Sequence, residues 1–396
     1  MAVLAAGALM LAAGCSSQEG AESTAGQGAS SPAGSPAAPS NGTASPSTSP
    51  SASRPAADLP PAKGSVKVVS TLTQGLDSPW GLAELPDGDL LVSSRDKGTI
   101  TRIDAKSGKK TLLGTVPGVA AAGEGGLLGL AVSPDYGTDH LVYAYFTTAS
   151  DNRIARMLYD EDGTTPGQLL GAPDTILRGI PKGAIHNGGR IAFGPDRMLY
   201  AGTGETGDDG LAQDEKSLAG KILRMTPDGE PLHGNPRADS VVYSSGHRNV
   251  QGLAWDGHKQ LWASEFGQDT WDELNRIVPG GDYGWPEAEG KAGKAGFVDP
   301  VAQWKTSEAS PSGIAFVKGS IWMAGLRGER LWRIPLSGTA DKEPLAAPQA
   351  FLNGTYGRLR TVLAAGGNRL WLVTSETDSR GTPKPGDDRI LVVEVR

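Results

Sequence analysis

Six times along this chain the same short pattern returns: a small turn, a brief apolar run, a turn often written Pro-Asp or Gly-Asp, then a second apolar run. The copies are "SPWGLAELPDGDLLVSS" from 78, "GGLLGLAVSPDYGTDHLVYAYFT" from 125, "NGGRIAFGPDRMLYAGTG" from 187, "NVQGLAWDGHKQLWASEFG" from 249, "SPSGIAFVKGSIWMAGL" from 310 and "GRLRTVLAAGGNRLWLVTS" from 357. They begin 47, 62, 62, 61 and 47 residues apart. Short apolar runs bounded by Gly, Pro and Asp read as strands, and their recurrence in fixed order reads as a repeat architecture. Five copies lead into a third strand-like piece: "GTITRIDA" from 98, "NRIARMLYD" from 152, "KILRMTPDG" from 221, "DELNRIVPG" from 272 and "ERLWRIPL" from 329. Inner, middle and outer strand, repeated six times, predict an all-β fold, a six-bladed β-propeller. "SVKVVSTLT" from 65 and "DRILVVEVR" from 388 are expected to pair and close the ring. A β-sandwich is the rival fold, and six copies of one unit suit a ring better.

The sequence before the repeats has a different texture. "MAVLAAGALMLAAGC" ends in the chain's single cysteine, Cys15, which excludes internal disulfides and cysteine-built zinc or iron–sulfur sites. This stretch resembles the lipobox of bacterial lipoproteins, which implies cleavage before Cys15 and lipidation of its thiol. From Ser16 to Lys63 the chain is Ser, Pro, Ala, Gly and Thr with almost no large apolar side chains, so it is expected to be a disordered tether. The expected organisation is therefore signal over 1–15, linker over 16–63 and propeller over 64–396. An extracytoplasmic protein follows, touching the membrane through its lipid anchor only, because no other stretch is apolar for long enough to span a bilayer. A net charge of -7 supplies no basic field for phosphates, which argues against a nucleic-acid partner.

In a propeller the loops that lead into the innermost strands converge on one mouth of the central channel, so polar residues there are site candidates. His186 stands just before the third inner strand, Glu124 before the second, Arg248 and Asn249 of "GHRN" before the fourth, and Arg358 and Arg360 at the sixth. Taken singly, such a histidine is more often structural, and alternate arginines more often form a solvated strand face. Converging on one axis, the guanidinium groups need neutralising, and an anionic ligand does that. The loop "SEFGQDTWDELNRIVPGGDYGWP" from 264 adds Asp272, Glu273, Tyr283 and the backbone at Gly267, the hard oxygen donors that Ca²⁺ prefers, without the acidic spacing of an EF-hand.

The ordered motifs "GLLGLA", "HNGGRIAFGPD", "GHRNVQGLAW", "DELNRIVPGGDYGWP" and "SPSGIAF" resemble the PQQ-dependent soluble sugar dehydrogenases, both the glucose and the broader aldose branches, from about Leu76 onward. The resemblance implies a six-bladed propeller that uses PQQ and Ca²⁺ to oxidise an aldose at its anomeric carbon to the lactone. Hydride passes to PQQ and electrons go on to an external acceptor. It implies His186 as general base, with Arg248 and Asn249 beside the quinone and substrate, and Arg358 and Arg360 on the cofactor carboxylates. Arg327 and Glu124 also face the cofactor, with Arg327 standing where a lysine is usual. Calcium is implied at Gly267, Gln268, Asp272, Glu273 and Tyr283. Ile185, Glu124 and Thr206 depart from the glucose-specific pattern around the sugar pocket, so the aldose branch is the nearer likeness. The rival functions are a metal-dependent propeller lactonase or hydrolase, and a non-catalytic propeller that binds carbohydrate or protein.

Overall fold

The computed structural model describes residues 59–337 and 344–396; Cys15, the lipobox and most of the expected tether lie outside the described residues. Six four-stranded antiparallel sheets follow one another in chain order. Their innermost strands are Pro79–Glu84, Leu127–Val132, Ile191–Phe193, Val250–Trp255, Pro311–Val317 and Leu359–Ala364, which define blades 1 to 6. In blade 6 the outermost strand is Val66–Gln74, paired with Arg389–Val395 from Val66 opposite Val395 to Gln74 opposite Arg389, so the two expected segments do close the ring. The third strands, Thr99–Ile103, Asn152–Leu158, Ile222–Met225, Trp271–Arg276 and Arg330–Pro335, also fall where the repeats place them. Residues 59–63 belong with the folded body rather than the tether: the Pro61 carbonyl accepts from Arg333 Nη2 at 2.7 Å.

Each blade is covered on both faces, and this explains why the strands read as continuous apolar runs rather than alternating ones. The apolar core is a ring of clusters between neighbouring blades. Leu91 and Ile100 of blade 1 pack with Val142 and Ala155 of blade 2, and Trp322 and Leu331 of blade 5 pack with Leu370 and Val393 of blade 6. Near the axis the inner strands approach too closely for side chains. A Cβ on Gly129 would lie 2.2 Å from the Gly189 carbonyl oxygen, and one on Gly252 would lie 2.4 Å from that of Ser312. The equivalent position is also glycine in blades 1 and 5, at Gly81 and Gly313, but arginine in blade 3, at Arg190, and threonine in blade 6, at Thr361.

Candidate active site

A cavity of about 510 Å³ opens where the pre-strand loops meet, lined among others by Trp80, Glu124, His186, Arg248, Asp272 and Arg360. Six arginines, at 95, 248, 327, 358, 360 and 380, line it against only two carboxylates, Glu124 and Asp272. The cavity is therefore built for an anion.

His186 is buried at 8% exposure and held in the left-handed backbone region at φ 53°. Three bonds fix this strained loop: the His186 N–H donates to Glu124 Oε2 at 2.9 Å, Gly188 N–H to Asn249 Oδ1 at 3.0 Å, and Thr206 N–H to the His186 carbonyl at 3.2 Å. Its Nδ1 lies 2.5 Å from Oε1 of Glu205, which is buried and also accepts from Gly207 N–H. A carboxylate at Nδ1 holds the proton there and leaves Nε2 with its lone pair, the tautomer a general base requires. Blade 4 carries a parallel pair, His247 Nδ1 with Glu265 Oε2 at 2.7 Å, but His247 is fully buried and its Nε2 is bonded to Ser244 Oγ at 2.8 Å. Of the two histidines, only His186 lines the cavity.

Opposite, blade 6 presents Arg358 and Arg360, whose Nη2 atoms share Asp378 Oδ2 at 2.9 and 3.2 Å. Burial alone would raise the Asp378 carboxyl, but the Arg360 and Arg358 charges hold it down at about 2. One carboxylate does not satisfy two guanidinium groups, and Nε of both arginines is buried with no hydrogen bond. Burial pushes Arg360 down to about 10 and Arg190 to about 9. Both guanidinium groups sit over the Trp80 ring, at 5.7 and 4.4 Å from its centroid. The orphaned donors and the surplus of charge fit a flat polyanion such as PQQ.

Arg248 donates from Nη1 to the Gly267 carbonyl at 2.6 Å and from Nε to Gln268 Oε1 at 3.0 Å. Asp272 accepts from Gly267 N–H at 3.0 Å and Ser310 N–H at 2.6 Å, and burial pushes its carboxyl up to about 7. Glu289 organises this loop: its Oε1 accepts from four successive N–H groups, residues 268 to 271, at 2.7 to 3.1 Å. Gly267, Gln268 and Asp272 thus offer oxygens at one wall of the cavity, an incomplete but chemically suitable donor set for a hard cation that a ligand also binds.

Not every expected residue faces the cavity. Glu273 is turned away, accepting from Gly290 N–H at 2.7 Å and Asn275 Nδ2 at 3.0 Å. Tyr283 donates to the Arg276 carbonyl at 2.7 Å and stacks on His247 with centroids 4.5 Å apart. Neither lines the cavity beside Gly267, Gln268 and Asp272; their side-chain oxygens are bonded within blade 4. Asn249 is fully buried behind the His186 loop rather than on the cavity wall. Glu124 does line the cavity, but its oxygens are committed to His186 N–H and to Arg380 Nη2 at 2.7 Å, so it fastens the wall. Arg327 is exposed at the rim, with no hydrogen bond or ion pair among the described residues. The repeats did carry a signal for the missed acids. Glu265 ends the second strand of its blade and Glu205 and Glu376 follow theirs, and each binds the loop before the first strand, Glu376 through Arg358 N–H at 2.6 Å.

A six-bladed propeller whose channel mouth sets an oriented imidazole against a cluster of arginines belongs with the enzymes that act on small molecules through an anionic cofactor. The chain is a member of the glucose/sorbosone dehydrogenase family, whose model matches residues 76–382. It is 73% identical to the solved PQQ-bound form of an aldose sugar dehydrogenase from Streptomyces coelicolor, with a TM-score of 0.83 over 85% of this chain and 100% of that one. The aldose sugar dehydrogenase YliI of Escherichia coli is 33% identical over 272 residues, 63% of this chain and 72% of that protein. Quinoprotein glucose dehydrogenase B of Acinetobacter calcoaceticus is 32% identical over 261 residues, 57% of this chain and 54% of its own length.

Proposed function

We propose that this propeller oxidises aldoses at the anomeric carbon to lactones with PQQ and Ca²⁺, delivering the electrons to an external acceptor. The observation that carries the reading is the pairing of His186 and its carboxylate partner Glu205 with Arg358 and Arg360, whose buried Nε donors are unsatisfied. When bound, PQQ with its Ca²⁺ supplies the electrophilic quinone that takes the two electrons of the anomeric C–H bond. His186 Nε2 removes the proton of the anomeric hydroxyl, and the Glu205 carboxylate stabilises the imidazolium so formed. Arg358 and Arg360 hold cofactor carboxylates through charge-assisted bonds, and Arg248 places its positive charge near the reacting centre. Gly267, Gln268 and Asp272 hold the cation. Ile185, 38% exposed and lining the cavity next to His186, gives the sugar pocket an apolar edge.

The catalytic unit is proposed to span 59–396, carried on the tether that precedes it from a signal over 1–15 and lipidated at Cys15. Among the described residues no helix is long and apolar enough to cross a membrane. A hydrolase ion held by carboxylates and histidines from several blades finds no such group of ligands among the described residues. The test is to add PQQ and Ca²⁺ to the purified protein and follow dye reduction with a panel of aldoses. Sugar-dependent reduction is expected; an unchanged PQQ spectrum would favour the binding reading, and lactone hydrolysis without PQQ the hydrolase.

A further inference from the structure

A second cavity, of about 440 Å³, lies between blades 5 and 6 and shares Arg327, Arg358 and Arg380 with the first. His186 lines the first cavity and not the second, whereas Arg358 lines both. Most charges in the second cavity are already committed. Glu376 accepts from Arg358 N–H at 2.6 Å and Thr382 N–H at 2.7 Å, Asp387 is paired with Arg389 at 2.7 Å, and Arg380 with Glu124 at 2.7 Å. Arg327 and Lys384 remain, both exposed and with no hydrogen bond or ion pair to their side chains among the described residues. Glu329, likewise exposed, is the one lining carboxylate left unpaired among the described residues. Arg389 Nε is also buried there without a partner. The groove therefore carries a local positive excess in a chain whose net charge is -7.

We propose that this groove is the docking site of a small anionic one-electron acceptor. The inference rests on the proposed function. It places the acceptor beside Arg358, one of the three arginines that line both cavities, and leaves the His186 side to the sugar. The electron count closes. One aldose loses two electrons and two protons as its anomeric C–H and O–H bonds break and the lactone C=O forms. Two acceptor anions are each reduced once, and the protons leave to solvent.

The test uses the PQQ- and Ca²⁺-loaded enzyme at low ionic strength, with ferricyanide as anionic and phenazine methosulfate as cationic acceptor. Lys384→Glu is expected to raise KM for ferricyanide about tenfold, and Glu329→Gln to lower it about threefold, because local charge sets the anion's occupancy. KM for phenazine methosulfate is expected to hold or move the opposite way, and KM for the sugar to stay constant. Hexacyanocobaltate(III), a redox-inert trianion, is expected to bind the loaded enzyme saturably by calorimetry and about tenfold more weakly after Lys384→Glu, by the same charge logic. Equal shifts with both acceptors, or hexacyanocobaltate binding indifferent to Lys384→Glu, overturns the site. Absence of turnover with either acceptor and every aldose would instead count against the proposed function, with the calorimetric arm still reading the groove.

Discussion

Arg190 Nη2, in blade 3, donates to Thr361 Oγ1, in the opposite blade 6, at 3.1 Å. The two occupy the ring position that is glycine in the other four blades, so this contact bridges the channel where the rest of the ring is bare backbone. Thr361 passes the bond on to the Trp80 carbonyl at 2.7 Å, which ties the floor of the cavity together. Burial, and then the Arg360 charge, holds the Arg190 guanidinium down at about 9. A cation with a depressed folded-state value opposes folding at every pH below that value, and the opposition fades as pH rises through it. Arg190→Met is therefore expected to melt no lower than the wild type at pH 7 while taking up PQQ about tenfold more weakly. A clear fall in melting temperature of the cofactor-free variant would contradict this.

His186→Ala is expected to lower kcat by about 10²- to 10⁴-fold, the usual worth of a positioned general base, with PQQ uptake nearly unchanged. Glu205→Gln keeps a partner at Nδ1 but removes its charge, and a loss of about 10- to 100-fold in kcat is expected by analogy with other orienting partners. Steady-state kinetics beside a PQQ titration separate the two effects. Near-normal turnover in His186→Ala would remove the base from this loop.

Asp378→Asn leaves Arg358 and Arg360 buried without their shared carboxylate, at an expected cost of about 3–5 kcal/mol above pH 5. The native carboxyl sits at about 2, below its value in an unfolded chain, so its contribution is complete above roughly pH 4 and is lost as pH falls through 2. Denaturant midpoints of variant and wild type are expected to converge across that window. A gap that persists unchanged at pH 2 would show another cause.

Glu289→Ala releases the four N–H groups that shape residues 268 to 271. The Ca²⁺ concentration for half-maximal reconstitution is expected to rise about tenfold, with the sugar KM unchanged once Ca²⁺ is saturating, as for other partners that orient ligands. Glu289→Gln, which retains one acceptor oxygen, is expected to recover part of the loss.

What was legible depended on repetition. The first three strands of most blades announced themselves because both faces are covered and each run is apolar, whereas fourth strands such as Val242–Ser244 and Gln349–Phe351 are only three residues long and mostly half-buried, too short to leave a pattern. His186, Arg358 and Arg360 were readable as charges set before or at the start of apolar strands, and the structure brings all three to one cavity. Asp378 and Glu289 were not readable, because each reaches its partners from a loop about 20 residues away, with no periodicity to mark it. That Glu273 and Tyr283 lie inside blade 4 while Asp272 lines the cavity was not readable either, because oxygen-rich composition does not reveal which way each side chain turns.

Blade 6 takes its outer strand from Val66–Gln74 and the other three from Leu359–Ala364, Arg369–Thr374 and Arg389–Val395. On the ribosome, then, the first strand of the propeller waits unpaired until the last has emerged, and Arg358, Arg360 and Asp378 arrive with it. A nascent chain with five blades made is an open arc without its anion cradle, so loading of PQQ is deferred until synthesis of the ring is finished.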